Sequence, residues 1–103
     1  MAEDEAIKRL EIIIEALELQ KALAMIERAG ATGYTVIPRI YGKGHRGIRT
    51  ELGFSDVLKN VMIIVIARET VAEQIAQDVG PLFERYAGLL TVTAVESCYG
   101  FDK

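Results

Sequence analysis

The segment from Arg39 to Arg49 holds the side chains best suited to chemistry. Arg39, Lys43, Arg46 and Arg49 give it a net charge of +4, it contains no acid, and His45 stands among the four cations. The remaining residues carry eight basic and fifteen acidic side chains, a net charge of −7. Guanidinium groups and backbone N–H groups donate hydrogen bonds in fixed directions, which suits phosphate oxygens. The segment therefore predicts anion or phosphate capture, or else a solvated hairpin tip.

Glycine spacing supports close approach of a ligand but identifies no standard motif. Gly42 and Gly44 flank Lys43 and permit backbone angles that other residues avoid. A Walker A motif needs Gly-Lys-Ser/Thr after a longer glycine spacing, which is missing here. His45 has no second histidine beside it and lies far in sequence from Cys98, the single cysteine. We expect His45 to contact phosphate or solvent, and we assign neither catalytic nor metal-binding residues.

Two features near the end of the chain allow more than one interpretation. Gly88, in "RYAGLL", is either a helix C-cap or a position where a flat ring lies against the backbone. Cys98 is more typical of a small apolar residue than of a redox centre. Since it is the only cysteine, no intramolecular disulfide forms.

Composition limits the classes of protein. The chain has 103 residues, and we expect residues 1–103 to form a single domain. A net charge of −3 and a pI near 5.2 argue against nucleic-acid binding. The N-terminus is acidic, unlike a signal peptide, and the apolar runs are too short or interrupted to span a bilayer. We therefore expect a cytoplasmic protein without membrane insertion.

Periodicity predicts the elements that position these residues. Isoleucine-rich or β-branched runs predict four strands, and leucine and isoleucine spacing predicts a helix after the first and the third. The strands are predicted at residues 8–16, 33–40, 60–67 and 89–97. This order, βαββαβ, is the ferredoxin-like α+β arrangement, an antiparallel sheet with both helices on one face. Residues 41–59 make a long connection between the second and third strands, of a length that is usually functional or disordered.

Local signals define the ends of these elements. Gly30 is placed to end the first helix as a left-handed C-cap. Pro38 should lie at a sheet edge or near a strand end, because it lacks an N–H. Thr70 and Glu73 have the spacing of a capping box for the second helix. Pro81 predicts a kink in that helix or a break at Gly80.

Three motifs in order resemble one family. The stretches "AMIERAGATGYTV", "GKGHRGIR" and "ERYAGLLTVTAVESCYG" are similar to the PII signalling superfamily, and most of all to its PII-like branch of SbtB and carboxysome-associated CPII proteins. The resemblance spans nearly the whole chain and implies a homotrimer that binds an adenine nucleotide between subunits. It also identifies the 41–59 connection as the T-loop, which responds to the ligand and meets a partner protein.

The resemblance also implies roles for individual residues. Thr35 matches a threonine that faces the adenine, and Arg46 and Arg49 match loop arginines that reach phosphate. The loop base matches Gly42, Lys43 and Gly44, with His45 beside them. The turn before the last strand matches Gly88, with Tyr86, Ala87 and Leu89 flanking the base.

Departures from the family pattern narrow the expected ligand. Leu89 stands where ordinary PII proteins carry a lysine, and "CYGFDK" replaces an arginine-bearing C-terminal segment. Two sources of positive charge for a triphosphate are therefore missing, and we expect ADP or AMP to bind in preference to ATP, with cyclic AMP a further candidate. The resemblance suggests bicarbonate as a second effector, and a bicarbonate transporter or carboxysome-associated protein as the partner.

Two other classes share this architecture. A CutA-like structural or ion-binding trimer would not need the arginine-rich loop. A small enzyme that handles phosphate would need acid and metal ligands near His45, which the sequence does not show.

Overall fold

Six principal elements follow one another in the predicted order. The computed structural model describes residues 5–42 and 60–101. Short 3-10 helices precede the first α-helix and follow the second, at Ala16–Glu18 and Gly80–Glu84. The principal elements are β1 (Ile7–Glu15), α1 (Leu19–Arg28), β2 (Thr35–Ile40), β3 (Asn60–Arg68), α2 (Glu69–Val79) and β4 (Gly88–Val95). The observed strand bounds differ from the predicted ones by at most two residues, and the α+β order is confirmed.

The four strands form one antiparallel sheet in the order β2-β3-β1-β4. β1 pairs with β3 on one side and with β4 on the other, and β2 pairs with β3. β2 and β4 are therefore the two edges of the sheet. This topology is the ferredoxin-like arrangement that the sequence predicts.

The core lies between the sheet and the two helices. Burial alternates along all of β3 and along β1 from Arg9 onward, because successive side chains of a strand point to opposite faces. The face toward the helices consists of fully buried branched side chains, among them Ile12 of β1 and Ile63 of β3. Apolar stripes of α1 and α2 cover that face through Ile26 and Ile75, both inaccessible to solvent.

The opposite face of the sheet, called here the open face, is also rich in apolar side chains. By register it includes Ile13 of β1, Ile64 of β3 and Leu89 of β4. Arg9 and Glu11 form an ion pair on the same face, with 2.9 Å between Nη2 and a carboxylate oxygen. Neither described helix packs on this face, and Leu89 is 48% exposed. β3 is apolar on both faces, as the sequence indicates.

The ends of the helices are partly as predicted. Gly30 follows α1 with φ of 108°, which confirms the left-handed end of that helix. α2 stops at Val79 and the chain continues as a 3-10 helix containing Pro81, so the predicted break at Gly80 is confirmed. Proline fits the first turn of a helix, where its missing N–H has no partner to lose.

The predicted capping box of α2 is wrong. The helix begins at Glu69, so Thr70 lies inside its first turn. Both the N–H and the hydroxyl of Thr70 donate to one carboxylate oxygen of Glu5, each at 2.9 Å. A residue 65 positions earlier thus supplies the cap that Glu73 was expected to help form. These hydrogen bonds to Thr70, from its backbone first and its hydroxyl second, lower the pKa of Glu5.

Edge strand β2 contains an irregularity. Its register with β3 shifts between Ile37 and Ile40, and Arg39 has φ of 61°. Pro38 lies in this irregular stretch of an edge strand, which confirms its predicted position. The irregular stretch ends just before residues 41 and 42.

Candidate functional site

Thr35, the first residue of β2, lines a concavity. Gly33, Tyr34 and Thr35 form one wall, and Ile64 and Ile66 of β3 contribute apolar surface. The volume is about 370 Å³, and small-molecule pockets usually occupy about 300–1,000 Å³. We call it the Thr35 pocket. The Thr35 hydroxyl beside the apolar side chains of Ile64 and Ile66 suits a flat heterocycle with hydrogen-bonding edges.

The segment after β4 forms the second wall of the Thr35 pocket. Cys98, Tyr99 and Phe101 line it, and Tyr99 is 95% exposed. The Phe101 ring lies over the Arg68 guanidinium, 5.0 Å from its carbon to the ring centroid, which holds the segment against the end of β3. Sequence reasoning missed this wall. The run of aromatic residues around Cys98 was a signal that could have indicated it.

Tyr34 closes the pocket on the helix side. Its hydroxyl donates to a Glu27 carboxylate oxygen at 3.3 Å. Partial desolvation first, and then the negative charge of Glu27, raise the pKa of the Tyr34 phenol. The phenol therefore stays protonated at neutral pH and holds α1 to the start of β2.

Residues Tyr86 to Leu89, called here the Gly88 turn, lie at the other edge of the sheet. Gly88 has φ of 138°, and a Cβ atom there would be 2.0 Å from the carbonyl oxygen of Ile13. The Phe83 ring would be 2.8 Å away. Only glycine fits this close approach. The C-cap interpretation of Gly88 is wrong, because Gly88 is the first residue of β4 and the preceding 3-10 helix ends at Glu84.

Hydrogen bonds fix the shape of the Gly88 turn. The Tyr86 N–H donates to the Leu82 carbonyl at 2.9 Å. The Ala87 N–H donates to a carboxylate oxygen of Glu15 at 3.1 Å. The Lys21 ammonium of α1 lies 5.6 Å from the centroid of the Tyr86 ring. The turn is therefore attached to β1, to α1 and to its own preceding helix.

Thr35 and the Gly88 turn do not meet within one copy of the chain. Thr35 belongs to edge strand β2, and Gly88 to edge strand β4. Three strand spacings of about 4.8 Å separate the two edges, about 14 Å in all. One chain thus places Thr35 and the Gly88 turn at opposite edges of its sheet.

The other predicted site residues are placed as follows. Gly42 is exposed, and a Cβ atom on it would meet nothing within 4 Å. Packing in this structure therefore does not require glycine there. Leu89 lies on the open face opposite Ile13. Five predicted residues lie outside the described part of the chain, namely Lys43, Gly44, His45, Arg46 and Arg49.

Residues 5–42 and 60–101 contain neither a cluster of metal-ligating side chains nor a membrane-spanning helix. No group of three histidine, cysteine or acidic side chains is arranged to hold a metal ion within these ranges. Likewise, none of the helices described there combines the length and apolar character needed to cross a membrane.

Comparison with models of protein families shows the family to which this chain belongs. The model of a family described as nitrogen regulatory protein P-II matches residues 7–101, which span every strand and helix described above. The chain belongs to the P-II family. The resemblance inferred from the sequence motifs is therefore confirmed, and the protein is a PII-like regulatory protein.

Solved structures of P-II relatives have the same fold. CPII, a nitrogen regulatory PII-like protein from Thiomonas intermedia, is 31% identical, with a TM-score of 0.74. The match covers 86% of this chain and 85% of CPII, whose structure is bound to ADP, AMP and bicarbonate. A PII-like signalling protein from Thermus thermophilus is 32% identical, with 88% of each chain covered and a TM-score of 0.70.

A more distant P-II structure supports the fold alone. GlnK of Bacillus subtilis, solved as an ATP complex, is 15% identical with a TM-score of 0.64. That match covers 88% of this chain and 85% of GlnK. The P-II fold thus persists at an identity where ligand preference cannot be transferred.

Proposed function

We propose that this P-II family member is a signalling protein that binds adenine nucleotides, ADP and AMP in preference, in clefts between copies of itself. The observation that carries the proposal is the position of the Thr35 pocket and the Gly88 turn on opposite edges of one sheet. In a homotrimer, the β2 edge of one copy would meet the β4 edge of the next. The ADP and AMP bound to CPII support the ligand class.

The open face supports association of copies. Ile13, Ile64 and Leu89 lie on it without a covering helix from the described part of the chain. Contiguous apolar surface of this kind marks interaction sites, because its burial removes nonpolar area from water. We propose that the open faces pack together in the trimer, which would bring the edge strands of neighbouring copies side by side.

Within this cleft, we propose roles for Thr35, for the Gly88 turn and for two arginines of the T-loop. Thr35 would donate or accept at the edge of the adenine, while the Gly88 turn would flank the base from the neighbouring copy. Arg46 and Arg49 would bind phosphate oxygens, because guanidinium groups donate pairs of parallel hydrogen bonds. The proposed site comprises Thr35, Gly42, Lys43, Gly44, His45, Arg46, Arg49, Tyr86, Ala87, Gly88 and Leu89.

The proposed preference for ADP and AMP over ATP follows from the small number of basic side chains near the proposed site. Leu89 offers no charge where ordinary PII proteins carry a lysine, and the residues from Cys98 to Phe101 include no basic side chain. Phosphate binding would then depend on the T-loop arginines. Each additional phosphate adds negative charge that these few cations must balance, so ATP should gain little over ADP.

The protein would transmit its signal through the T-loop, whose conformation would depend on the bound ligand. We propose that residues 1–103 act as one domain, in which residues 41–59 present a partner-binding surface in one ligand state only. Bicarbonate, which is bound to CPII, would be a second effector. The partner would be a bicarbonate transporter or a carboxysome-associated protein in the cytoplasm, so that the signal controls inorganic-carbon uptake.

Titration calorimetry tests the ligand class. Purified protein is titrated with AMP, ADP, ATP and cyclic AMP, each with and without bicarbonate. We expect AMP or ADP to bind most tightly, and bicarbonate to change their affinity. ATP binding tighter than ADP by about tenfold, or about 1.4 kcal/mol, would contradict the proposed preference. No binding of any nucleotide would contradict the proposed function as a whole.

A further inference from the structure

Tyr99 presents an aromatic ring to the Thr35 pocket. It belongs to the segment after β4, lines the pocket together with Cys98 and Phe101, and is 95% exposed. A tyrosine ring offers a large flat apolar surface with a polar hydroxyl at one end. Within one copy of the chain, almost all of this surface is therefore available to a ligand.

Phe101 holds the segment against the end of β3. Its ring lies over the Arg68 guanidinium, with 5.0 Å between the guanidinium carbon and the ring centroid. A cation over an aromatic face is attracted by the ring quadrupole. Arg68 also contacts the start of the chain, because its Nη1 donates to the Glu5 carbonyl oxygen at 3.4 Å. These contacts attach Phe101, two residues after Tyr99, to a strand of the sheet.

The backbone on both sides of Tyr99 keeps its ring exposed. Gly100 has φ of 91°, in the left-handed region that favours glycine. Cys98 and Phe101 are partly buried, whereas Tyr99 and Gly100 between them are exposed. The segment thus contacts the protein before and after Tyr99 and leaves this one ring free at the pocket.

The side chains around the Thr35 pocket favour a base over a phosphate. None of the described residues that line it is acidic or basic. Phosphate oxygens bind most strongly to cationic donors such as guanidinium groups. Aromatic side chains, in contrast, stack on nucleobases of any identity, because every base has a π-face. An uncharged pocket with an exposed ring therefore suits the base of a nucleotide.

We infer that Tyr99 stacks on the base of the ligand in the Thr35 pocket, and that Arg68 is a positioning residue that acts through Phe101. The inference rests on the proposed nucleotide cleft and assigns a ligand contact to the segment after β4. Tyr99 and the Thr35 pocket belong to the same copy of the chain, and the T-loop takes no part in this contact. The Thr35 hydroxyl at the edge of the base and the Tyr99 ring on its face would together fix its orientation.

Two substitutions of Tyr99 test the contact by titration calorimetry. Tyr99→Phe keeps the ring, and we expect it to bind AMP like the wild type. Tyr99→Ala removes the ring, and we expect AMP affinity to fall by about five- to thirtyfold. Adenosine affinity should fall by the same factor, because the lost contact is with the base. The matched control is Leu17→Ala, which removes an apolar side chain that is 90% exposed and does not line the pocket, and its affinities should not change.

Arg68→Met tests the positioning role, since Arg68 does not itself line the Thr35 pocket. Loss of the contact with Phe101 should lower AMP affinity by about two- to fivefold. Arg68→Lys keeps a cation, and we expect a smaller loss. Proton NMR provides a signature of stacking, because a stacked ring shifts the adenine H2 and H8 signals of bound AMP upfield. We expect this shift with the wild type and with Tyr99→Phe, a smaller one with Arg68→Met, and its loss with Tyr99→Ala.

Four outcomes would overturn all or part of the inference. If the wild type binds AMP and Tyr99→Ala binds it equally well, Tyr99 makes no contact and the proposed function stands. If Tyr99→Ala weakens AMP but not adenosine, the ring acts at phosphate and the inference is wrong. If Tyr99→Ala no longer sediments like the wild type, the ring serves contact between copies instead. Unchanged affinity and NMR shift in Arg68→Met would remove the positioning role.

Failure of the proposed function has a different result. A wild-type protein that binds neither AMP nor adenosine would overturn both the nucleotide cleft and the stacking contact. The comparison of wild type with Tyr99→Ala thus separates the two proposals.

Discussion

The two edges of the sheet carry surfaces of opposite character. At the β2 edge, the Thr35 pocket has a volume of about 370 Å³, and the Tyr99 ring in one of its walls is 95% exposed. At the β4 edge, the Gly88 turn leaves no space, since a Cβ atom on Gly88 would be 2.0 Å from a backbone oxygen. We therefore expect the β2 edge to adapt to a ligand, whereas the close contacts of Gly88 fix the shape of the β4 edge.

This contrast suggests that the two edges contribute differently to ligand binding in the proposed cleft. A rigid turn costs little conformational entropy on binding, because it is already ordered. We expect the aromatic wall around Cys98 to shift and enclose a ring, since Tyr99 is 95% exposed. Positioning of the base would then come from the β4 edge, and its enclosure from the β2 edge of a neighbouring copy.

Whether the two edges meet between copies can be tested at the centre of the open face. Ile13→Glu places a carboxylate between Met62 and Leu89, its partners on the neighbouring strands. Burying an unpaired charge costs several kcal/mol, so we expect loss of the trimer and of nucleotide binding. Sedimentation velocity measures the assembly state.

Leu17→Glu is the matched control for this experiment. Leu17 is 90% exposed in the 3-10 helix that precedes α1. We expect this variant to sediment like the wild type. A trimer that persists in Ile13→Glu would show that the open face is not the contact surface.

The rigidity of the β4 edge predicts a large loss of stability on substitution of Gly88. Gly88→Ala introduces a Cβ atom at φ of 138° and against the Ile13 carbonyl. We expect a loss of about 2–4 kcal/mol in the free energy of unfolding, measured by urea denaturation.

The comparison variant is Gly33→Ala at the β2 edge, where a Cβ atom would meet nothing within 4 Å. We expect its stability to change by less than about 0.5 kcal/mol. Equal losses in the two variants would remove the distinction between a rigid and an adaptable edge.

The hydroxyl of Thr35 provides a smaller test of the β2 edge. Thr35→Val keeps the β-branched shape that suits a strand but removes a hydrogen-bonding group. We expect AMP affinity to fall by about five- to tenfold, equivalent to about 1 kcal/mol, with little change in stability. Calorimetry and a thermal melt measure the two quantities, and unaltered AMP affinity would argue against a contact of Thr35 with the base.

The smallest expected effect concerns pH and lies away from both edges. The pKa of Glu5 is lowered in the folded protein by its hydrogen bonds to Thr70. Its contribution to stability is therefore present above the unfolded value of 4.5 and is lost as pH falls through the lower folded pKa. Urea midpoints measured across this range should fall less steeply for Glu5→Gln than for the wild type. Parallel curves would show that the cap contributes nothing.

Sequence periodicity predicted the elements well because their signals are local. The isoleucine-rich run of β1 and the Pro81 break each depend on neighbouring residues only, and the structure places both within two residues of expectation. The prediction of a capping box was wrong because it, too, depended on neighbouring residues only. Thr70 and Glu73 have the right spacing, but the helix begins at Glu69, and Glu5 accepts both hydrogen bonds that Thr70 donates.

Only part of the candidate site could be predicted from the sequence. Motifs indicated Thr35 and the Gly88 turn, and the roles assigned to them remain predictions. The sequence analysis assigned no role to Glu15 or to the wall from Cys98 to Phe101, because each acquires its position through contacts with residues distant in the chain.

The sequence by itself determined the βαββαβ order, the cationic composition of residues 39–49 and the absence of a lysine at position 89. These properties depend on residue type and short-range spacing. Only the tertiary structure decided that Thr35 and Gly88 lie on opposite edges, and that Gly88 must be glycine because it presses against Ile13. Strand order and close backbone approach are set by packing of the whole sheet, so no short stretch of sequence contains them.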